Sequence, residues 1–208
     1  MTTNSLIFFH APQTRSSGTR FLLEELGAPH EMRVLNLKAG ETRRPEYLAI
    51  NPMGKVPAIL DRGVLVTEQP AIFIHLADRF PQAGLAPAID DPLRGAYLRW
   101  MIFYGSSFEP AIVDKHLQRD SGGTQMSPYG SFDEVLKTLT DHLDRGPWML
   151  GERFSAADVL WGTAFNWTVN FKIVPDLPVI RAYIDRVTSR PAFRHTTEDD
   201  ARLVTAQS

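Results

Sequence analysis

The 208-residue sequence contains no cysteine. This absence excludes a disulfide framework, a zinc site built on thiolates and a catalytic cysteine. A small secreted scaffold normally depends on disulfides, so the absence also favours a reducing, cytoplasmic compartment.

The sequence also has no excess of basic residues: it contains 22 Lys and Arg and 24 Asp and Glu side chains, which gives a net charge of −2. A nucleic-acid-binding surface needs a basic face, so no nucleic acid is expected as a partner. No run approaches the roughly 20 apolar residues of a membrane span, and the apolar run 6–9 is too short for a signal peptide. With 43% hydrophobic residues, the chain can bury one large or two small cores.

The first 80 residues alternate between strand and helix patterns. A buried strand at 6–9, a helix at 17–26 and a strand at 32–37 form a parallel crossover unit. A short helix at 44–49 follows, and then come strands at 57–60 and 64–66, joined by a three-residue hairpin connector, and a helix at 68–79. This β-α-β, β-β-α order predicts a thioredoxin-like α/β domain over residues 1–80.

The remainder of the chain carries helical patterns. Residues 81–91 are rich in Pro, Gly and Asp and predict a linker, and residues 92–208 predict an all-helical domain. Helices are expected at 92–119, 128–145, 155–171 and 176–189, with a short one from 191. The acidic run Glu198-Asp199-Asp200 is expected to lie in a solvated, fraying tail.

The segment Asn51-Pro52-Met53-Gly54-Lys55-Val56-Pro57 precedes the third strand. A proline at the start of a strand has no N–H to donate to the neighbouring strand. A cis Val56–Pro57 bond would turn the backbone N–H and C=O of Val56 out of the sheet edge toward a peptide ligand. Only about 5–6% of X–Pro bonds are cis, so these residues alone favour a trans proline on an edge strand.

Glu68 lies where the fourth strand gives way to a helix. A carboxylate in a first helical turn is favoured by the helix dipole, which is a purely structural explanation. The same place can bind an amino acid, because free helix N–H groups hold its carboxylate and Glu68 receives its ammonium. Together with the Val56-Pro57 edge, the ligand interpretation is favoured.

The loop after the first strand, His10 to Ser17, ends at the start of the first helix. Hydroxyl residues there commonly cap the helix. Alternatively, Thr14 and Ser16 could donate to a ligand thiolate, with Arg15 adding positive charge, because such settings lower a thiol pKa to roughly 3.5–7.5. A drop of two pH units corresponds to about 2.7 kcal/mol of preferential thiolate stabilisation.

Along nearly its whole length the sequence resembles the soluble, cytosolic-type glutathione S-transferases. The resemblance rests on segments in the family's order and spacing, namely Ile7-Phe8-Phe9 with Leu22 to Gly27, Asn51-Pro52-x-Gly54-Lys55-Val56-Pro57, Thr67-Glu68-x-x-Ala71-Ile72, Leu76-Ala77-Asp78 and Glu152 to Asp158. The first loop is most similar to bacterial beta-like members with a Thr-Arg-Ser sequence.

The resemblance implies a set of glutathione contacts. Val56 would pair with the cysteinyl unit beside a cis Pro57, Glu68 and Gln69 would hold the γ-glutamyl end, and Lys55 would approach the glycine carboxylate. Arg15 stands where the beta-type enzymes have cysteine. Ser16 is therefore ranked first as the catalytic residue and Thr14 second, with Arg15 as the third candidate.

Two further patterns have structural explanations. Tyr97, Trp100 and Tyr104 recur at helical spacing, which is more often core than pocket, although the resemblance implies that some of them line an electrophile site. Ser155 and Asp158 form a capping box rather than a catalytic pair. The six histidines show no metal-ligand spacing, so no metal is expected.

The leading prediction is an enzyme that transfers the glutathione thiolate to a small, apolar electrophile, without a metal. The alternatives are a glutathione-dependent disulfide reductase or peroxidase and a non-catalytic glutathione-binding or interaction protein. The resemblance implies a homodimer.

Overall fold

The computed structural model, which describes residues 5–123 and 125–207, contains a four-stranded mixed sheet with the order β2-β1-β3-β4. Its strands are β1 (Leu6–His10), β2 (Glu31–Val34), β3 (Ala58–Asp61) and β4 (Val64–Val66). β1 pairs with β2 in parallel and with β3 antiparallel, and β3 pairs antiparallel with β4. The predicted thioredoxin-like sheet is confirmed.

The helices follow the predicted order, with some differences in their bounds. They are α1 (Ser16–Glu25), α2 (Pro45–Leu48), α3 (Gln69–Arg79), α4 (Arg94–Phe103), α5 (Glu109–Leu117), α6 (Phe132–Leu143), α7 (Ala156–Asn170), α8 (Pro178–Thr188) and α9 (Pro191–Ala206). The helix expected at 92–119 is interrupted by a π-helical turn at Tyr104–Phe108.

By its contacts the chain divides into two compact units. The first unit contains the described residues up to Ala83 and those from Arg190 onward, and the second is Gly84–Ser189. In the first unit α9 packs against α1. The helix predicted as short is 16 residues long. The expected fraying tail is therefore wrong, because these residues form regular helix with one face buried on α1.

The sheet of the first unit is covered by apolar side chains. Phe9, Tyr47 and Ala58 form a buried cluster, joined by half-buried side chains that include Ile7 and Val56. Strand alternation sends Leu6 and Phe8 to the opposite face, where both side chains are buried. Buried side chains on both faces of the sheet therefore hold β1 and the end of this strand at His10 in place.

The second unit is built around aromatic side chains of α4, the π-helical turn and α7. Trp161 is buried, contacts the rings of Trp100, Tyr104 and Phe108, and donates its indole N–H to the Trp100 carbonyl oxygen at 3.1 Å. In the described part of this unit, ladder pairing is limited to isolated bridges near Trp148. Among the described residues, no helix is long and apolar enough to cross a membrane.

Candidate active site

Three chain segments meet at the carboxyl-terminal end of β1. The Leu35 N–H donates to the His10 carbonyl oxygen at 2.7 Å, which places the segment after β2 beside this end. On the other side Phe9 faces Ala58, so continuing the antiparallel register brings Val56 to the level of Ala11. Ligands of sheet proteins commonly bind beyond the carboxyl ends of parallel strands, and the polar residues singled out from the sequence lie there.

The loop before β3 is held by hydrogen bonds to one carbonyl oxygen. The Lys55 carbonyl accepts from the Tyr47 hydroxyl at 2.6 Å and from Asn51 Nδ2 at 2.8 Å. Gly54 has a φ of +59°, and an added Cβ would lie 2.7 Å from the Thr42 carbonyl oxygen. Glycine is required at this turn by both its backbone conformation and its close packing.

Val56 follows this turn and leaves its backbone groups available. The Val56–Pro57 peptide bond is cis, as the resemblance implied and contrary to the expectation from the tripeptide alone. Among the described residues, neither the N–H nor the C=O of half-buried Val56 has a hydrogen-bond partner. Lys55 beside it is exposed. This edge can pair with an extended backbone laid alongside it.

Glu68 adopts an unusual backbone conformation immediately before α3. Its φ of 63° and ψ of 114° lie outside the regions that a residue with a Cβ ordinarily occupies. The side chain is exposed, and no partner for its carboxylate occurs among the described residues. Strain of this kind persists at sites where the surrounding structure fixes a residue for function.

Gln69 connects the start of α3 to the first loop. It is buried, and its Nε2 donates to the Arg15 carbonyl oxygen at 3.0 Å. The predicted contact between Gln69 and glutathione stays a prediction. In the structure its side-chain amide fixes the position of the loop that carries the catalytic candidates.

The three catalytic candidates differ in their exposure. Arg15 is exposed, Thr14 is half-buried and Ser16 is fully buried. The Ser16 Oγ lies 2.9 Å from His10 Nδ1 and 2.7 Å from Thr14 Oγ1. It also lies 3.0 Å from the Ala11 nitrogen and 2.9 Å from the Ala11 oxygen. Ser16 is thus enclosed by protein groups. Thr14 Oγ1 also contacts the Ala11 oxygen at 2.8 Å and the Ser16 nitrogen at 3.1 Å, but Thr14 is only half-buried.

A cavity of about 240 Å³ is lined in part by Thr14. Its lining comes from residues 11–14 of the first loop, residues 35–38 after β2, and Val204 and Gln207. Thr14 is the predicted catalytic residue that contributes to this lining.

Behind the loop lies a polar cluster that sequence reasoning missed. His10 is fully buried, and its Nε2 donates to Asp200 Oδ1 at 3.0 Å. Asp200 also accepts from the Ser17 hydroxyl at 2.5 Å and from Arg20 Nη1 at 2.9 Å. Asp200 had been predicted to be solvated and is instead buried, because α9 packs on α1. The buried Thr196 lies four residues earlier on the same helix face, and this periodicity was the available signal.

The surroundings of Asp200 keep its carboxyl group ionised. Burial opposes ionisation, but hydrogen bonds from His10, Ser17 and Arg20 and the charge of His10 outweigh it. The pKa of Asp200 therefore lies below its usual value.

The remaining predicted site residues lie in the second unit. Tyr97, Trp100 and Tyr104 are buried, and the Tyr104 hydroxyl donates to Glu109 at 2.5 Å. These contacts are those of core residues, and a role in an electrophile pocket stays a prediction. Among the described residues, no group of three or more His, Asp or Glu side chains could hold a metal ion.

Comparison with known proteins agrees with this architecture. Residues 4–78 match the family model of the glutathione S-transferase N-terminal domain, and residues 129–186 match that of the C-terminal domain. A maleylacetoacetate isomerase from Pseudomonas aeruginosa is 30% identical over 206 residues, covering 90% of this chain and 93% of that protein.

The disulfide-bond oxidoreductase YfcG of Escherichia coli is 26% identical over 198 residues, covering 88% and 90% of the two chains. A sphingomonad glutathione S-transferase, solved in complex with glutathione, has a TM-score of 0.78 and 28% identity, covering 94% and 98%. The chain belongs to the glutathione S-transferase superfamily, with a beta-like type supported by its bacterial relatives.

Proposed function

We propose that this protein binds glutathione and conjugates its thiolate to small, apolar electrophiles. The observation that carries the proposal is the pair of unpartnered Val56 backbone groups at the sheet edge, at the level of the loop that holds Thr14. A peptide with a cysteinyl unit fits such an edge, because its backbone supplies the missing acceptor and donor. The sphingomonad relative, which was solved with glutathione, supports the same ligand.

In this proposal Glu68 receives the ammonium group of the γ-glutamyl end. Its carboxylate is exposed, and its backbone is held in a strained conformation at the start of α3. Gln69 contributes to the same end, although its side-chain amide is directed to the Arg15 carbonyl oxygen. Lys55 is exposed next to Val56 and supplies positive charge for the glycine carboxylate.

Thr14 is proposed as the hydroxyl that touches the sulfur, with Arg15 adding charge. This ranking differs from the sequence-based one, which put Ser16 first, because Ser16 is buried and surrounded by four protein atoms. In the reaction, the thiol proton leaves to solvent and the thiolate attacks the electrophilic carbon. A carbon–sulfur bond forms, and the leaving group departs with the electron pair of the bond that breaks.

Calorimetry with glutathione tests the binding site. Glu68→Gln removes the charge that faces the ammonium and should weaken the affinity by roughly 10- to 100-fold. Glu46→Gln is the matched control, because Glu46 is also an exposed carboxylate near a helix start in the same unit. Equal affinities in both variants would contradict the role of Glu68, and no binding by the wild type at millimolar glutathione would refute the proposal.

Assays with two substrate classes test the chemistry. Conjugation predicts turnover of an aromatic halide, with a large loss in Thr14→Val and substantial recovery in Thr14→Ser. The similarity to YfcG favours disulfide reduction as the second candidate, in which two glutathione molecules reduce a small disulfide to two thiols and become oxidised glutathione. Binding of glutathione without either activity would indicate a non-catalytic protein.

The protein is further proposed to be a homodimer, as is typical of its family. Sedimentation equilibrium would show twice the 23.4 kDa chain mass if this is correct. A single-chain mass at micromolar concentration would contradict it.

A further inference from the structure

Three polar side chains of the first loop and the Asp200 carboxylate of α9 form a continuous hydrogen-bonded chain. Asp200 Oδ1 lies 3.0 Å from His10 Nε2, and His10 Nδ1 lies 2.9 Å from Ser16 Oγ. Ser16 Oγ in turn lies 2.7 Å from Thr14 Oγ1. Asp200, His10 and Ser16 are buried, and only Thr14 reaches the cavity.

The donors available at Ser16 limit where the protons can lie. A hydroxyl oxygen accepts two hydrogen bonds and donates one. One acceptor position of Ser16 Oγ is filled by the Ala11 N–H at 3.0 Å. One acceptor position of Thr14 Oγ1 is filled by the Ser16 N–H at 3.1 Å. The protonation state of His10 decides how the remaining positions are used.

Asp200 fixes one end of the imidazole. An ionised carboxylate cannot donate, so His10 Nε2 must carry a hydrogen at this contact. If His10 is neutral, Nδ1 is then an acceptor and takes the Ser16 hydroxyl hydrogen. The second acceptor position of Ser16 is left facing Thr14 Oγ1 at 2.7 Å, where the Thr14 hydroxyl hydrogen can fill it; the Ala11 carbonyl oxygen, 2.8 Å from Thr14 Oγ1, is the other protein acceptor within reach of that hydrogen. Thr14 then donates inward.

If His10 is protonated on both nitrogens, the direction of donation reverses. The Nδ1–H and the Ala11 N–H fill both acceptor positions of Ser16. Ser16 must then donate to Thr14 Oγ1 or to the Ala11 carbonyl oxygen at 2.9 Å. Thr14 can no longer donate to Ser16, so its hydrogen turns to the same carbonyl, 2.8 Å away, or outward.

We propose that Asp200 and His10 are positioning residues that, with His10 protonated on both nitrogens, turn the Thr14 hydroxyl outward to donate to the glutathione thiolate. This inference rests on the proposed function. Asp200 stabilises the cationic imidazole, and a thiolate outside Thr14 Oγ1 gains a donor that a neutral His10 would withdraw. His10 and Asp200 act through Thr14 and do not touch the sulfur.

Other charged groups close to the imidazole belong to the same unit. Arg20 of α1 shares Asp200 with His10 and also pairs with Asp199. Asp199 further contacts Arg202 and lies 3.8 Å from His195 Nε2. The segment after β2 contributes the Leu35 N–H, which donates to the His10 carbonyl oxygen. In the part of the chain that the structure describes, Asp200 is thus the carboxylate in direct contact with the ring, and Asp199 contacts Arg20 and not the ring.

The ionisation of bound glutathione, followed by thiolate absorbance against pH, tests the chain. Asp200→Asn should raise the pKa of the bound thiol by about one pH unit, which is about tenfold less thiolate at a fixed pH below the pKa. Asp199→Asn removes the same charge from the same helix, but the Asp199 side chain does not contact His10. This control should leave the pKa of the bound thiol unchanged. Equal shifts in the two variants, or no shift in Asp200→Asn, would overturn the inference.

A double-mutant cycle separates positioning from a general structural effect. In a Thr14→Val background, Asp200→Asn should cause no further shift, because the hydroxyl that it orients is gone. Additive shifts would show that Asp200 acts by another route. Calorimetry on the same proteins distinguishes the two proposals, since a wild type that fails to bind glutathione refutes both, whereas a wild type that binds glutathione while Asp200→Asn leaves the thiol pKa unshifted overturns the inference alone.

The protonation of His10 can also be measured directly in the wild-type protein, so this test does not depend on whether a variant folds. Nitrogen NMR of the histidine rings, with glutathione bound, should show His10 protonated on both nitrogens over the pH range in which the thiolate forms. A His10 that is unprotonated at Nδ1 throughout that range would overturn the inference.

Discussion

Two buried aspartates, one in each unit of the molecule, have opposite surroundings. Asp158 at the start of α7 accepts from the Met149 N–H at 2.7 Å, the Tyr183 hydroxyl at 2.8 Å and Ser155. All of these donors are uncharged. Asp200 on α9 accepts from Arg20 and His10, one a permanent cation and the other able to become one.

The pKa values of the two carboxyl groups diverge for this reason. Burial raises the pKa of Asp158 to about 6, because hydrogen bonds from neutral donors offset its desolvation only in part. Burial also opposes ionisation of Asp200, but there His10, Ser17 and Arg20 together lower the pKa. The Asp158 carboxyl group caps the start of α7, whereas the Asp200 carboxylate accepts hydrogen bonds from His10 and Arg20 next to the first loop. Burial alone therefore does not tell a structural acid from one that serves a site.

The largest expected effect is that of Asp158→Ala. This variant leaves at least two buried donors, the Met149 N–H and the Tyr183 hydroxyl, without an acceptor, so the free energy of unfolding should fall by about 4 kcal/mol. The capping box of α6, Ser131 and Glu134, offers an exposed control, and Glu134→Ala should cost about 1 kcal/mol. Urea unfolding at neutral pH measures both. Equal losses would refute the contribution assigned to burial.

The pH dependence of stability should separate the two aspartates. The folded protein binds the Asp158 proton more tightly than the unfolded chain, whose aspartate pKa is about 3.9. The contribution of Asp158 to the free energy of unfolding is therefore greatest below about pH 4. It falls by about 3 kcal/mol as the pH rises through 6. Asp200 acts in the opposite sense, because its contribution is present above the usual aspartate pKa and is lost as the pH falls through its lowered value.

Urea unfolding from pH 3 to pH 8 tests both contributions. Asp158→Asn should remove the decline between pH 4 and pH 7, and Asp200→Asn should flatten the acid limb. An unchanged decline in Asp158→Asn would contradict the raised pKa.

Gly162 in the second unit and Gly54 in the first are both closely packed, but only Gly54 lies next to the proposed glutathione site. Gly162→Ala places a Cβ 2.5 Å from Val187 side-chain carbons, so it should cost about 1–3 kcal/mol of stability and leave glutathione affinity unchanged. Gly54→Ala should cost a similar amount and also weaken glutathione binding, because its turn precedes Val56. Unfolding and calorimetry on both variants provide the check. Weakened binding in Gly162→Ala, or intact binding in Gly54→Ala, would contradict this assignment.

The smallest effect is expected at an exposed ion pair of α6. Lys137 Nζ and Asp141 Oδ2 are 2.6 Å apart, but solvent screens both side chains. Asp141→Asn should change the free energy of unfolding by about 0.3 kcal/mol. Glu25→Gln, which removes the charge and leaves one acceptor oxygen for the two donors of partly buried Arg190, should cost more, about 1 kcal/mol. A larger loss in Asp141→Asn would reverse this order.

Much of the fold was predictable because local patterns carried it. The apolar strand at 6–9, the hairpin around Gly63 and the helical repeats after residue 92 specify their elements without reference to distant residues. The Ser155–Asp158 capping box was likewise predicted as structural, and it is observed. Glu68 was identifiable by its place between a strand and a helix, although its strained backbone was not.

The contacts of the site were less accessible to sequence reasoning. Ser16 and Thr14 are two residues apart, and the sequence offered no means of telling which hydroxyl is buried. His10 and Asp200 are separated by 190 positions, so no local spacing could pair them. The acidic run near the end of the chain has the composition of a solvated tail, and the packing of α9 on α1 overrides that composition.

The sequence by itself determined the order of strands and helices, the family, and the segments from which a glutathione site would be built, because each depends on short-range patterns of polarity and turn chemistry. Tertiary structure alone decided which hydroxyl is enclosed and which carboxylate faces a histidine. Those outcomes depend on desolvation and on contacts between distant segments, which exist only once the chain has packed.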